Sequence, residues 1–228
     1  MKRIDPAQLD AYLRADPVAK LAADAQVRPP LTSQRWLDQT PAKRFIYHEL
    51  YGDCLAGAGP CSLLDVGGGM TALTPLIAAG RRYGLIDPLF HEAESSVAAI
   101  RGAMDTFNHF GADWQETETG SWDVIVANDL FPNVDQRLAL FVDWAVKRAR
   151  DVRLSLTFHN KPRWYTLQRA GLDERLTMLA FDGARTRAAL EPFSARIAGW
   201  NAALFDGNDG SVFPNGRQVI LLNVQGDL

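Results

Sequence analysis

Ser62-Leu63-Leu64-Asp65-Val66-Gly67-Gly68-Gly69-Met70-Thr71 reads as a short apolar strand that ends on an acid, turns on three glycines and opens a helix. Leu63, Leu64 and Val66 suit the interior of a parallel sheet that is covered on both faces. The glycines let the backbone turn tightly and approach a ligand more closely than any side chain would allow. A helix from about residue 71 to 79 would point its positive N-terminal end the same way. The stretch is therefore a candidate site for a nucleoside-bearing ligand.

Two readings compete for that loop. Gly67-x-Gly69-x-x-Ala72 fits the dinucleotide pattern, and Asp87 closes the next apolar run, where a ribose-binding acid is expected. Asp65 tilts the choice, because dehydrogenase fingerprints carry an uncharged residue two places before the first glycine. A carboxylate only accepts hydrogen bonds and suits a cationic amine. S-adenosylmethionine carries such a group and NAD does not.

On these residues the chain resembles the class I S-adenosylmethionine-dependent methyltransferases. Leu64-Asp65-Val66-Gly67-Gly68-Gly69 is similar to their first motif, which implies that Asp65, Gly67, Gly68 and Gly69 lie along the methionine part of the cofactor. Leu85-Ile86-Asp87 resembles the end of their second strand, implying that Asp87, followed by Pro88, grips the ribose hydroxyls. Gly111-Ala112-Asp113-Trp114 stands where the family places an acid and an apolar residue beside adenine. Trp122 to Leu130 resembles the fourth strand and the active-site turn, which brings Asn128 to the cofactor. The likeness runs from about residue 60 to 160, with Thr71 standing where many members have a further glycine.

The fold implied is α/β: a Rossmann-like, doubly wound, mostly parallel seven-stranded sheet with an antiparallel final strand and an N-terminal helical cap. Residues 1–58 look helical and form a candidate lid; residues 59–228 alternate strand and helix, the pattern of a parallel sheet covered on both faces. In the lid, Asp5-Pro6 starts a helix that Pro17 interrupts. After Arg28-Pro29-Pro30, Thr32 or Ser33 is placed to cap a second helix carrying Trp36, Phe45, Ile46, Tyr47 and Tyr51. Strands are expected near 62–66, 82–87, 106–110, 123–127, 152–158 and 217–224, with a weaker one near 200–205 that would pair with the last as a hairpin. Helices are expected near 71–79, 91–104, 135–149, 163–180 and 184–197.

Composition narrows the function classes. The chain has 228 residues, 47% of them apolar, enough for one large core. A net charge of -3 offers no bulk attraction to nucleic acid or to an anionic membrane. The basic run from Lys147 to Arg153 reads as a helix C-terminus. Two cysteines, Cys54 and Cys61, are too few for a disulfide framework and read as buried thiols. No apolar run reaches the roughly 20 residues that span a bilayer, and the N-terminus lacks a signal-peptide core, so a cytoplasmic location is expected. No His, Asp or Glu cluster has metal-ligand spacing, so no metal is expected. The oligomeric state stays open.

In open sheets of this type the ligand lies beyond the carboxyl ends of the strands, where the winding reverses. That gathers Asp65, Asp87, Asp113, Asn128, Asp129, His159 and Asn160 on one rim. Methyl transfer needs a nucleophile held in line with the methyl group, and a base only where the acceptor loses a proton. Asp129 and His159 are candidates for that base, and Asn128 for positioning. Trp36, Tyr47, Phe131, Trp164 and Tyr165 could face a cation or the acceptor.

A short helical cap should hold a small-molecule acceptor more readily than a protein tail, and the resemblance implies methyl transfer with release of S-adenosylhomocysteine. Asn128-Asp129-Leu130-Phe131 lacks the Asn-Pro-Pro-aromatic signature of adenine and glutamine methyltransferases. An alternative stays open: the chain is also similar in general look to azetidine-2-carboxylate synthases, which cyclise S-adenosylmethionine with no second substrate and release methylthioadenosine. There Tyr47, Asn128 and Asp129 would matter as neighbours of the amine. A non-catalytic S-adenosylmethionine-binding protein is the third reading.

Overall fold

The computed structural model describes residues 1–168, 175–207 and 210–228. In chain order the elements are β1 (Lys2–Arg3), α1 (Pro6–Leu13), α2 (Pro17–Ala23), α3 (Thr32–Gln39), α4 (Pro41–Leu55), β2 (Ser62–Val66), α5 (Thr74–Ala78), β3 (Arg82–Ile86), α6 (Glu94–Arg101), β4 (Asn108–Phe110), β5 (Trp122–Asn128), α7 (Leu138–Val146), β6 (Ala149–Phe158), β7 (Arg163–Gln168), β8 (Arg175–Ala180), α8 (Gly183–Leu190) and β9 (Gln218–Gln225). The main sheet has seven strands in the order β1-β9-β6-β5-β2-β3-β4. The strands from β4 to β6 run parallel, and β9 is antiparallel to both of its neighbours. The winding reverses between β2 and β5, so a crevice is expected beyond Val66 and Asn128.

Strand alternation divides the core. Leu63, Tyr83, Leu85, Val124 and Val126 pack with the helical segment that includes Tyr47, Leu50 and Tyr51. Leu64, Val66, Ile86, Ile125, Ala127, Leu154 and Leu156 pack with α7 on the opposite face. Asp65 alternates with Leu64, so its side chain lies on the α4 face.

The N-terminal helical segment follows its prolines. Asp5 caps α1 in a capping box with Gln8, and Asp16 caps α2 ahead of Pro17. Pro41 splits the expected second helix into α3 and α4. Neither Thr32 nor Ser33 caps α3: Leu31 holds the cap position without a side-chain bond, and Glu92 from after β3 accepts both the Thr32 and Ser33 backbone N–H groups at 2.6 and 2.9 Å.

Three further expectations are corrected. The helix expected over 163–180 is a hairpin of β7 and β8 where it is described, its 169–174 portion lying outside the described residues. Trp164-Tyr165-Thr166 and Thr177 are strand formers, and they outweigh the helical pattern. The weaker strand near 200–205 is a 3-10 turn, Ala202–Phe205, capped by Asn201. It makes no hairpin with β9. The edge beyond β9 is instead supplied from the start of the chain by β1 and from the Ile197–Val224 bridge. Finally, Cys54 is buried as expected but Cys61 is exposed. Among the described residues no helix is long and apolar enough to cross a membrane.

Candidate functional site

Asp65 is buried at the end of β2, beneath the glycine loop. Its Oδ2 accepts hydrogen bonds from the Tyr51 hydroxyl at 2.9 Å and the Tyr83 hydroxyl at 3.4 Å. Its Oδ1 is buried with no partner among the described residues. That oxygen lies directly under the loop, because a Cβ built on Gly68 would stand 2.2 Å from it. Burial pushes the Asp65 carboxyl up to about 7, with the Tyr51 hydrogen bond opposing and nearby Asp87 adding. A buried, half-satisfied acid beneath an open backbone loop suits a cationic partner, whose charge would favour the ionised form.

Asp87 ties the loop together. Gly67 and Gly69 both have positive φ, at 69° and 67°, which glycine alone adopts without strain. The Gly69 N–H donates to Asp87 Oδ2 at 3.1 Å, and the Leu89 N–H donates to Oδ1 at 2.8 Å. Asp87 is thus a turn residue, and each oxygen keeps acceptor capacity for a ligand hydroxyl. Pro88, next to it, is exposed.

The N-terminal helical segment reaches down onto this loop. The Ala72 N–H donates to Gln34 Oε1 at 2.8 Å, and Ser33 Oγ lies 3.1 Å from His91 Nε2. Trp36 stacks on the His91 ring with centroids 5.5 Å apart. Tyr47, fully buried on α4, hydrogen-bonds through its hydroxyl to Thr71 Oγ1 at 3.1 Å and so braces the exit of the glycine loop. Burial raises the Tyr47 hydroxyl well above the usual tyrosine range, so it stays a neutral phenol.

The other side of the switch is built on β5 and β6. Ser155 Oγ donates to Asn128 Oδ1 at 2.8 Å and accepts the Asp129 N–H at 2.8 Å, holding Asp129 at a left-handed φ of 55°. Asp129 Oδ1 accepts from Thr157 Oγ1 at 2.9 Å. Its carboxylate also pairs with Lys43 from α4 and with Arg217 from just before β9, each at 3.5 Å. At the end of β6, the His159 N–H donates to the Phe181 carbonyl. Burial, then Arg163 and Arg217, lower the imidazole pKa, which leaves His159 neutral at neutral pH and able to accept a proton. The Tyr165 hydroxyl of β7 donates to the Asn133 carbonyl, so the hairpin closes against the turn after β5.

Asp113 and Trp114 follow β4 on the far flank. Asp113 receives the Arg137 guanidinium at 3.1 and 2.6 Å, at the exposed rim. Trp114 is buried, donates to Asp135 at 2.9 Å and packs edge-on against Phe141 at 5.3 Å. Its ring belongs to the core, as does that of Phe131. Trp164 is exposed.

The sequence reading missed Glu92, Lys43, Arg217, Ser155 and Arg137, all distant in the chain from the residues they serve. Tyr51 carried one signal: it falls on the stripe of α4 that also holds Tyr47, and a hydroxyl on a buried face needs a partner.

No protein-family model matches the chain, and no curated protein sequence matches it. Solved structures do share its fold. One is 1,6-didemethyltoxoflavin-N1-methyltransferase from Burkholderia thailandensis with 1,6-didemethyltoxoflavin and S-adenosylhomocysteine, at TM-score 0.52 and 16% identity over 100% of this chain and 93% of that one. A second is a DhpI complex with S-adenosylhomocysteine, at TM-score 0.52 and 14% identity over 96% and 98% of the two chains. A third is the N-methyltransferase NodS from Bradyrhizobium japonicum, at TM-score 0.51 and 13% identity over 84% and 100%. The architecture is the Rossmann-like fold of these proteins.

Proposed function

We propose that the chain is an S-adenosylmethionine-dependent enzyme that transfers a methyl group to a small molecule. The observation that carries this reading is the unpartnered, buried Oδ1 of Asp65 beneath Gly68, the place where a cationic amine would complete a carboxylate. Asp65 would hold the ammonium group, the Gly67–Gly69 backbone would run along the methionine portion, and Asp87 would accept from the ribose hydroxyls. When bound, the cofactor supplies an electrophilic methyl group on a cationic sulfur. The chain's own work is to orient and enclose. Ser155 and Thr157 fix Asn128 and Asp129 at the mouth of the crevice, α3 and α4 cover the loop, and neutral His159 can take a proton from an acceptor that must lose one. The solved structures of this fold named above include a methyltransferase and DhpI, each with S-adenosylhomocysteine bound, which supports the choice of cofactor.

The test is incubation of the purified protein with S-adenosylmethionine, alone and with pooled small-molecule acceptors, followed by mass spectrometry. Acceptor-dependent S-adenosylhomocysteine is expected. Methylthioadenosine formed without any acceptor would replace methyl transfer with cyclisation of the cofactor, and binding without turnover would leave a binding protein.

A further inference from the structure

Lys43 and Arg217 come from opposite ends of the chain and meet on one carboxylate, Asp129, each at 3.5 Å. Those separations are longer than the roughly 2.7–2.9 Å of a charge-assisted hydrogen bond. The short bond to Asp129 comes from the neutral Thr157 hydroxyl at 2.9 Å. Aromatic rings steer both cations: the Arg217 guanidinium lies 4.4 Å from the Phe213 ring centroid, and Lys43 Nζ lies 5.3 Å from that of Trp36. Arg217 Nε is buried without a partner among the described residues. A third cation, Arg163, acts with Arg217 on His159.

One cation would be enough to tie Asp129 to its neighbours. A second, with a buried donor left open, leaves excess positive charge in a partly enclosed place, which is unfavourable unless an anion joins it. The cluster stands at the carboxyl end of β5, on the β6 and β9 side of the switch point, whereas Asp87 and the ribose position lie on the β3 side with the glycine loop between them.

We propose that Lys43 and Arg217 bind an anionic group, of the carboxylate class, on the methyl acceptor. This rests on the methyl-transfer reading above. The guanidinium supplies a planar pair of donors and the ammonium a point charge, the combination that fixes a carboxylate at a set distance from the neighbouring methyl donor. Asp129 then offsets the repulsion between the two cations and holds them near each other until the acceptor arrives.

Calorimetry tests the assignment with acetate, benzoate and phenylacetate, each set against its primary amide, titrated into protein saturated with S-adenosylhomocysteine. At least one carboxylate should bind while its amide does not, and Arg217→Gln and Lys43→Gln should each weaken it by about ten- to hundredfold. Both variants should keep the affinity for S-adenosylhomocysteine itself. The proposal is overturned if no carboxylate binds, if amide and acid bind alike, or if neither substitution matters. If the substitutions weakened both S-adenosylhomocysteine and S-adenosylmethionine while leaving decarboxylated S-adenosylmethionine unaffected, the cations would be assigned to the cofactor's own carboxylate and the acceptor role overturned. Failure of the wild type to bind S-adenosylhomocysteine at all would instead break the reading of the cofactor site. Circular dichroism confirms that each variant is folded.

Discussion

Replacing Asp65 by Asn should stabilise the free protein while destroying its affinity for S-adenosylmethionine. In the folded chain the carboxyl holds its proton to about pH 7, raised chiefly by burial, whereas an unfolded carboxyl releases it near pH 4. Between those values the folded state binds a proton that the unfolded state has lost, so wild-type stability falls as pH rises through the window and levels off above it. Three pH units correspond to an upper bound on the order of 4 kcal/mol. Asn removes that cost but brings an amide N–H into the place of the unpartnered Oδ1, at a penalty of about 1–3 kcal/mol. A net gain of at most about 1–3 kcal/mol at pH 8 is therefore expected, reversing near pH 4 where only the amide penalty remains.

Urea denaturation of both proteins at pH 4, 6 and 8 reads this as a difference in midpoint that grows with pH. Binding gives the opposite sign. Wild-type affinity for S-adenosylmethionine should fall by up to tenfold per unit below about pH 7, since the ammonium group needs the ionised acid, and the variant should bind weakly throughout. A stability difference that stays constant from pH 4 to 8 would refute the argument that Asp65 is a proton-holding acid in the unliganded protein.

Asp87→Ala removes the acceptor for the Gly69 and Leu89 N–H groups as well as the proposed ribose grip, so calorimetry should show affinity lowered by well over tenfold; unchanged affinity would sink the ribose assignment. Gly68→Ala places a methyl 2.2 Å from Asp65 Oδ1 and should cost about 1–3 kcal/mol in thermal or urea unfolding. Glu92→Gln should loosen α3, seen as faster amide exchange over 32–39 while β2 and β5 stay protected. Burial raises the Glu92 carboxyl, but His91 and the Ser33 and Thr32 N–H groups outweigh it and hold it below the usual range, while the Glu92 hydrogen bond raises His91. The Glu92 contribution is lost as pH falls through its lowered pKa, and the His91 contribution as pH rises through its raised one. Protection of α3 should therefore peak at mildly acidic pH in the wild type and lose that peak in the variant.

What the sequence made legible, and what it did not, divides along one physical line. The strand, acid and glycines of 62–71 are a local pattern: burial on both faces demands the apolar run, and a turn with two positive-φ residues demands glycine, so the motif and the parallel core around it can be read without tertiary knowledge. The failures are places where the partner is far away in sequence. Thr32 and Ser33 carry the composition of a cap, yet the role fell to Glu92, some sixty residues on, because a carboxylate delivered from the end of β3 satisfies two backbone N–H groups at once. The edge of the sheet was expected from 200–205 and came from Lys2–Arg3, because an edge strand needs only one neighbour and any short extended segment that reaches β9 can fill it. The same holds for the acceptor end of the crevice. Asn128-Asp129 was visible as a strand end, but Lys43 sits in an ordinary N-terminal helix and Arg217 in a turn beside Gly216, and neither position advertises a charge partner. Only the closure of α4 and β9 around β5 brings the two cations together. The glycine-loop part of the proposed cofactor site is thus encoded in one contiguous stretch to which Asp87 is added from beyond β3, while the half proposed to select the acceptor is assembled from three.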